Sequence, residues 1–224
     1  GMFSKKLAVA GFVLGAGAAL IAMPARSENT LRYANVGDAA TLDPHALNSL
    51  VTLMAGMQMH DALVMRSPAM EKVPGLAESW EILDENTWQF NLRKGVTFHN
   101  GNAFTADDVI FSIRRAQSET SQMNGYVNTI SDMRKIDDHT VQFVTAKPNP
   151  ILLDQLINIF MMDKEWSEKH EVTEPQNFKD KQETYAVRHT NGTGAFRLES
   201  REPDVKTVLV RNDDWWGNDL YPHN

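Results

Sequence analysis

Cysteine is absent from the 224-residue chain, and basic residues are outnumbered by acidic ones. Without cysteine the chain can form no disulfide, no thiolate metal site and no cysteine nucleophile, and it cannot carry a lipid on an N-terminal cysteine. The net charge of -7 argues against a nucleic-acid-binding protein, which needs a basic surface to displace counterions from phosphates. The chain has 42% hydrophobic and 23% charged residues, which is the composition of a globular protein, and it is long enough to bury a core.

The first 25 residues have the three-part layout of a secretory signal peptide. Lys5 and Lys6 form a short basic region, residues 7–22 are all apolar or glycine, and cleavage after Ala25 or Ser27 fits the small residues there. An uncleaved membrane anchor is the alternative, although a spanning helix usually needs about 20 apolar residues. We therefore predict that residues 1–25 are removed on export to the periplasm, and that the mature protein is not a lipoprotein.

Patterns along the rest of the chain predict strands mixed with helices. Trp88, Phe90 and Leu92 alternate with polar residues, which indicates a strand with one buried face in a hairpin over residues 78–92. Thr105 followed by Asp108 is a capping box that begins a helix. Further strands are predicted over residues 31–36 and 140–144, and a second hairpin over residues 195–210. An α/β fold with a mixed α+β sheet follows.

Three other helices are predicted, together with a set of core residues. Leucines and methionines at helical spacing in residues 49–64 indicate a helix whose apolar stripe packs into the core, rather than an adaptable binding surface. Asn149 and Pro150 have the residue types of a helix cap and a first helical position, and a short helix is predicted over residues 162–169. The expected core residues are Trp80, Trp88, Phe90, Phe98, Val109 and Ile113.

No pattern of catalytic or metal-ligating residues is found. The seven histidines include no helical His-x-x-x-His spacing, and there is no Gly-x-Ser-x-Gly or Ser-x-x-Lys motif. The stretch NGTG at residues 191–194 lacks the lysine of a phosphate-binding loop and is interpreted as a tight turn. We therefore predict no catalytic residue, no metal site and no cofactor, and a protein that is not an enzyme.

Seven motifs occur in order along the chain: TLDPH (41–45), PGLAESWE (74–81), LRKGVTFHNG (92–101), FTADDV (104–109), DDHTV (137–141), GTGAF (192–196) and NDDWWG (212–217). Together they resemble the bacterial extracellular solute-binding proteins of family 5, the oligopeptide, dipeptide and nickel type of ABC transporters. Each is weak alone, but their order and intervals are specific, and together they cover essentially all of the chain after the predicted signal peptide. Ala195 stands where the family usually has proline.

The resemblance implies the first lobe of a type II periplasmic binding protein, a two-lobe clamp that closes on its ligand. Residues 28–62 and 156–224 would form a discontinuous, incomplete sheet domain, and residues 63–155 an inserted subdomain. Family members run to about twice this length, so the resemblance implies an absent second lobe. An uncovered sheet domain would favour self-association through the hairpin 195–210 and the tail with Trp215 and Trp216.

The resemblance also implies which residues bind a ligand. The stretch after the TLDPH motif lines the family's ligand cleft, which corresponds to Asn48, Ser49 and Leu50, and an aromatic residue after the FTADDV helix corresponds to Tyr126. The implied function is capture of oligopeptides or peptide-like solutes for ABC transporter permease subunits in the inner membrane. The alternatives are a metal chelate, haem or sugar as ligand, or a fragment without transport activity.

Overall fold

The computed structural model describes residues 30–32 and 39–221, so the predicted signal peptide and residues 33–36 of the predicted first strand lie outside the described residues. The strands are β1 (Thr30–Arg32), β2 (Val64–Arg66), β3 (Lys72–Pro74), β4 (Ala77–Asp84), β5 (Thr87–Leu92), β6 (Ile130–Asp137), β7 (Thr140–Thr145), β8 (Phe196–Glu202) and β9 (Lys206–Arg211). The helices are α1 (Leu50–Met59), α2 (Ala106–Gln117), α3 (Leu152–Leu156), α4 (Lys164–Lys169) and α5 (Tyr185–Arg188), with a 3-10 turn at Asn124–Tyr126.

A four-stranded antiparallel sheet of order β4-β5-β7-β6 contains the first predicted hairpin. Trp88, Phe90 and Leu92 on β5 are buried and their neighbours are partly exposed, so the predicted alternation is confirmed. The hairpin turns at Asn86, whose backbone N–H donates to Asp84 Oδ1 at 2.8 Å. The period-two pattern in this part of the sequence therefore identifies both the strand and its buried face.

Helix α2 lies against this sheet and completes the largest core. It begins after Thr105, whose backbone N–H donates to Asp108 Oδ2 at 2.9 Å, as the capping box predicts. Val109 and Ile113 are fully buried on its inner face. The predicted core residues Trp88, Phe90, Phe98, Val109 and Ile113 all belong to this core, whereas Trp80 only packs against it, because it lies on the largely exposed edge strand β4.

A second sheet of order β1-β9-β8 contains the other predicted hairpin, which is confirmed. Helix α1 packs on it through Ala55 and Met59, which contact Leu209 of β9 in a smaller core. Strand β8 lies at the edge of this sheet among the described residues. The remaining pair, β2 and β3, forms a short two-stranded ribbon that carries the chain from α1 to the four-stranded sheet.

The orientation predicted for α1 is wrong. Leu50, Met54 and Met57 are 70%, 51% and 59% exposed, while the buried residues of the helix are small or lie near its end: Thr52, Ala55, Gly56 and Met59. A Cβ at Gly56 would come within 2.7 Å of the Phe160 ring, so the helix approaches its neighbours most closely on its small-residue face. The methionine and leucine stripe consequently faces outward.

Two helix starts also differ from the prediction. Helix α3 begins at Leu152 rather than Pro150, because the Asn149 side chain first closes a turn by accepting from the backbone N–H of Ile151 at 3.2 Å. Helix α4 begins at Lys164, after Asp163, whose Oδ1 accepts from the Trp166 backbone N–H at 3.2 Å. In both places an Asx side chain sets the boundary by a local hydrogen bond.

Candidate ligand-binding site

The loop before α1 is held by a buried ion pair between Asp43 and Arg115 of α2. Two parallel hydrogen bonds of 2.7 Å join the guanidinium to Asp43 Oδ1 and Oδ2, and neither side chain is exposed. The same guanidinium donates to Nδ1 of His45 at 2.9 Å, so His45 must donate from Nε2 to the Phe160 carbonyl, also at 2.9 Å. The TLDPH motif is thus held in place by Arg115 of α2 and by the backbone carbonyl of Phe160.

The charges in this network determine the protonation of its members. Burial alone would raise the pKa of Asp43, but the charge and hydrogen bonds of Arg115 outweigh it and lower the pKa to about 2. Burial, with the charge of Arg115, lowers the pKa of His45 to about 4. At neutral pH the network therefore contains a carboxylate, a guanidinium and a neutral imidazole, which is the form that its hydrogen bonds require.

The four residues predicted to bind ligand lie at the surface beyond this network, and Gln122 connects them to it. The Gln122 backbone N–H donates to the His45 carbonyl at 3.0 Å, and its side-chain Oε1 accepts from the Asn48 backbone N–H at 3.3 Å. The Asn48 side-chain amide lies 3.5 Å from the Tyr126 hydroxyl. The structure therefore brings Asn48 and Tyr126 together although 78 positions separate them.

Ser49 and Leu50 continue this surface into α1 with different roles. The Ser49 hydroxyl caps the helix by accepting from the Thr52 backbone N–H at 3.2 Å, so its hydroxyl is already engaged. Leu50 begins an apolar row on α1 that continues through the half-buried Leu53 to the exposed Met54 and Met57. What the arrangement offers a ligand is an amide, a phenol and an apolar strip at one exposed edge.

A second buried carboxylate, Asp61, joins two of the seven motifs, GTGAF and NDDWWG, and Arg93 of a third motif packs beside it. Its Oδ2 accepts from the Thr193 hydroxyl at 2.8 Å and from the indole N–H groups of Trp215 at 3.2 Å and Trp216 at 2.8 Å. The guanidinium of Arg93 stacks on the Trp216 ring at 4.5 Å. Burial raises the pKa of Asp61, against the lowering effect of these donors.

The tail with Trp215 and Trp216, one of the two places predicted for self-association, is largely covered by contacts within the chain. Trp215 is buried and Trp216 is half-buried, because both indoles are bound to Asp61. The glycine motif before β8 has a similar packing role, since a Cβ at Gly192 would lie 2.0 Å from the Met59 carbonyl oxygen. Residues 191–194 pass directly along the end of α1, which leaves no room for a phosphate between them.

Sequence reasoning missed Gln122 and His60 as members of this region. Gln122 carries no motif, and only its two hydrogen bonds to the loop at residues 45–48 reveal its position. His60 is buried beside Phe160, with ring centroids 5.9 Å apart, and neither of its ring nitrogens has a hydrogen-bond partner among the described residues. A histidine at the end of an apparently core-facing helix gives no sequence signal of such a state.

Within residues 30–32 and 39–221, no cluster of three or more histidine, cysteine, aspartate or glutamate side chains has the arrangement of a metal site. In the same part of the chain, no helix has both the length and the apolar character needed to cross a membrane.

Known proteins with similar sequences are binding components of transporters. The probable ABC transporter periplasmic-binding protein SapA of Escherichia coli K12 is 29% identical over 99% of this chain and 44% of its own length. The dipeptide-binding protein of the same organism is 28% identical over 92% of this chain and 42% of its own length. The chain thus spans less than half the length of these curated relatives.

Solved structures agree with the fold. DppA from Helicobacter pylori, in complex with the peptide STSA, superposes with a TM-score of 0.67 and 26% identity over 79% of this chain and 38% of its own. NikZ from Campylobacter jejuni, in complex with Ni(L-His), gives a TM-score of 0.68 at 22% identity over 79% and 34%, which supports the fold alone. The predicted mixed α/β fold of type II periplasmic binding proteins is confirmed.

The family follows from the match along the chain. The family model for bacterial extracellular solute-binding proteins, family 5 Middle, matches residues 71–223, which is more than half of the chain. This is a family of binding proteins rather than of enzymes. The chain belongs to the bacterial extracellular solute-binding proteins of family 5.

Proposed function

We propose that this chain contributes to the capture of oligopeptides or peptide-like solutes in the periplasm, for import by an ABC transporter. The observation that carries the proposal is the contact between the Asn48 amide and the Tyr126 hydroxyl, with the exposed Leu50 close to Asn48 in the chain, on a loop that the Asp43–Arg115 pair holds. An amide and a phenol can hydrogen-bond to a peptide backbone, and the apolar strip can contact its side chains. Relatives named for dipeptide binding support the same ligand class.

The proposed mechanism is closure of a two-lobe clamp. In such a protein, ligand binding shifts an equilibrium between open and closed forms, and the closed form is presented to the permease subunits in the inner membrane. The division into residues 28–62 with 156–224, and residues 63–155, remains part of this proposal. It is supported by the sheets, since β1, β8 and β9 fall in the first set and β4 to β7 in the second.

Ligand-detected NMR with a tripeptide such as Ala-Ala-Ala tests the proposal. We expect saturation transfer from the protein to the peptide, and its loss in the variant Tyr126→Ala. Tyr185→Ala is the matched control, because Tyr185 is also partly exposed but stacks between His170 and His189, away from the candidate site. Equal saturation transfer in both variants would show that Tyr126 does not contact the peptide. If no peptide received saturation transfer from the parent chain, the proposed ligand class would be contradicted.

The same NMR measurement can be made with the alternative ligands. A metal chelate, haem or sugar would transfer signal where peptides do not, and binding of a metal chelate would be abolished by a chelator. Binding of a peptide should be indifferent to a chelator, because it uses only amide, phenol and apolar groups of the protein.

We also propose weak self-association, through the edge strand β8 rather than through the tail. An edge strand presents unpaired backbone groups to a second chain. Light scattering should show a mass above that of the monomer at high concentration. The exposed residue Glu199 on β8 offers the test, since Glu199→Pro blocks pairing at this edge and should restore the monomer. A parent chain that stays monomeric throughout would contradict this part.

A further inference from the structure

Three Asn-Gly pairs occur in the sequence, at residues 100–101, 124–125 and 191–192. An asparagine that precedes glycine can lose its side-chain ammonia spontaneously, because glycine has no Cβ to hinder the attack of its own backbone nitrogen on the preceding side chain. The reaction requires that this nitrogen and the asparagine side chain can approach each other. The surroundings of each pair in the folded chain therefore decide which of the three can react.

Two of the pairs are held by hydrogen bonds. The Gly101 backbone N–H donates to the Phe98 carbonyl at 2.9 Å. Asn191 is buried, and its Oδ1 accepts from the Asn100 backbone N–H at 2.9 Å, while its amide donates to Asp163 Oδ2 at 2.9 Å. In neither pair can the glycine nitrogen reach the asparagine side chain without breaking these bonds first.

The third pair, Asn124–Gly125, is exposed. Among the described residues, neither the Asn124 side chain nor the Gly125 backbone N–H has a hydrogen-bond partner. A Cβ at Gly125 would meet nothing within 4 Å, so the space beside it is open. The pair lies in the single 3-10 turn Asn124–Tyr126, which the Val127 backbone N–H closes by donating to the Asn124 carbonyl at 3.0 Å. Short 3-10 turns have poor hydrogen-bond geometry, so this one can open locally at little cost.

We propose that Asn124 is a site of spontaneous deamidation. The Gly125 nitrogen attacks Asn124 Cγ, a new N–Cγ bond replaces the Cγ–Nδ2 bond, and Nδ2 leaves as ammonia with the proton of the Gly125 N–H. Water then opens the succinimide ring. Hydrolysis at Cγ gives aspartate, and hydrolysis at the backbone carbonyl carbon gives isoaspartate, which has an additional methylene in the backbone. The net reaction consumes a water molecule and releases ammonia.

This reaction would alter the candidate ligand-binding site, because the turn carries Tyr126. Both ends of the turn are fixed, since Met123 and Val127 are buried. An additional methylene must therefore displace residues 124–126 themselves, and with them the Tyr126 hydroxyl, which lies 3.5 Å from the Asn48 amide. Either product also adds a negative charge beside this surface. The consequence for binding rests on the proposed function, and it is a loss of peptide binding as the protein ages.

Peptide mapping by mass spectrometry tests the site, using the full chain incubated in its folded state at mildly alkaline pH. Exchange of the amide for an acid changes the mass of the peptide that contains Asn124. We expect product at Asn124 and none at Asn100 or Asn191 over the same period, and comparable product at all three in urea, where the fold protects none of them. Equal product at the three sites of the folded chain, an unmodified Asn124, or a preference for Asn124 that is unchanged in urea would overturn the proposal.

Gly125→Ala is the matched variant. The added Cβ has open space around it, so the variant should fold like the parent chain, while the methyl group hinders the attack of the backbone nitrogen. Product at Asn124 should be lost over the period in which the parent reacts. Equal rates of product formation in the parent and the variant would contradict the succinimide route.

A binding measurement separates this inference from the proposed function. Saturation transfer to Ala-Ala-Ala is compared before and after incubation, in the parent and in Gly125→Ala. Transfer should fall in the incubated parent in step with product at Asn124, and it should persist in the incubated variant. Deamidation without loss of transfer would overturn the effect on binding. No transfer in the fresh parent would contradict the proposed function and the effect on binding, while the mapping would still decide whether Asn124 deamidates.

Discussion

The Arg115 guanidinium and the Asp43 carboxylate form a fully buried, doubly hydrogen-bonded pair that ties α2 to the loop before α1. Removing one partner of such a pair leaves an uncompensated buried charge, which typically costs about 3–5 kcal/mol. Arg115→Met should therefore lower the free energy of unfolding by about that amount in urea titrations. The exposed pair Arg134–Asp132 is the control, and Arg134→Ala should change stability by less than about 1 kcal/mol. Similar losses in the two variants would contradict the prediction.

Stability should fall on acidification from about pH 6.5 to about pH 4. Burial lowers the pKa of His45 and His99 from 6.5 to about 4 and that of His60 to about 3, so in this range the unfolded chain binds more protons than the folded one. Asp108 opposes them, because burial raises its pKa to about 6, and so does Asp61. Asp43, with its lowered pKa of about 2, adds a further loss below pH 3.8.

The contribution of one histidine can be isolated at His99, whose Nε2 lies 3.0 Å from the Gly194 carbonyl oxygen. Glutamine can donate the same hydrogen bond but does not titrate. His99→Gln should reduce the slope of unfolding free energy against pH by about 1 kcal/mol per pH unit between pH 6 and 4.5. Urea titrations at four or five pH values would give the slope, and identical slopes for parent and variant would refute the assignment.

A methyl group at Gly192 should be far more damaging than one at Gly125. The added Cβ at Gly192 would lie 2.0 Å from the Met59 carbonyl oxygen, whereas at Gly125 nothing lies within 4 Å. Overpacking of this kind typically costs about 1–3 kcal/mol, and backbone atoms cannot move aside as a side chain can. Thermal unfolding of Gly192→Ala and Gly125→Ala should show a lowered midpoint for the first only.

The core of the four-stranded sheet gives a further matched pair. Phe90 is fully buried on β5, and Ile82 on the neighbouring strand β4 is 61% exposed. Phe90→Ala should cost about 3–5 kcal/mol, and Ile82→Ala about 0.5 kcal/mol or less. If calorimetry gave the two variants the same melting temperature, the burial of Phe90 would not be what stabilises this sheet.

Local sequence patterns predicted where helices and strands form, but features that depend on contacts between residues far apart in the chain could not be predicted. The hairpin around Trp88 and the helix start at Thr105 depend on neighbouring residues, so both were predictable. The outward face of α1 was not, because it depends on Gly56 meeting Phe160, about 100 positions later. Apolar periodicity locates a helix, but it does not say which side the rest of the chain covers.

The candidate site divides in the same way. Asn48 and Tyr126 could be named only through the resemblance to the family, and the structure places them 3.5 Å apart. Arg115 was unremarkable within an amphipathic helix, yet its partner Asp43 lies 72 positions away. Gln122 and His60 carry no motif, so only the three-dimensional contacts could identify them.

One acceptor oxygen on Asp61 serves donors from segments more than 130 positions away along the chain. During divergence, a substitution at position 61 would leave three hydrogen-bond donors without an acceptor. A substitution at Thr193, Trp215 or Trp216 would remove one donor to Asp61 and so relax the requirement for a carboxylate at that position. These four positions should therefore mutate together among descendants of a common ancestor. In an alignment of related sequences, a substitution at one of these four positions should be accompanied by a substitution at another of the four more often than is found for pairs of other core positions.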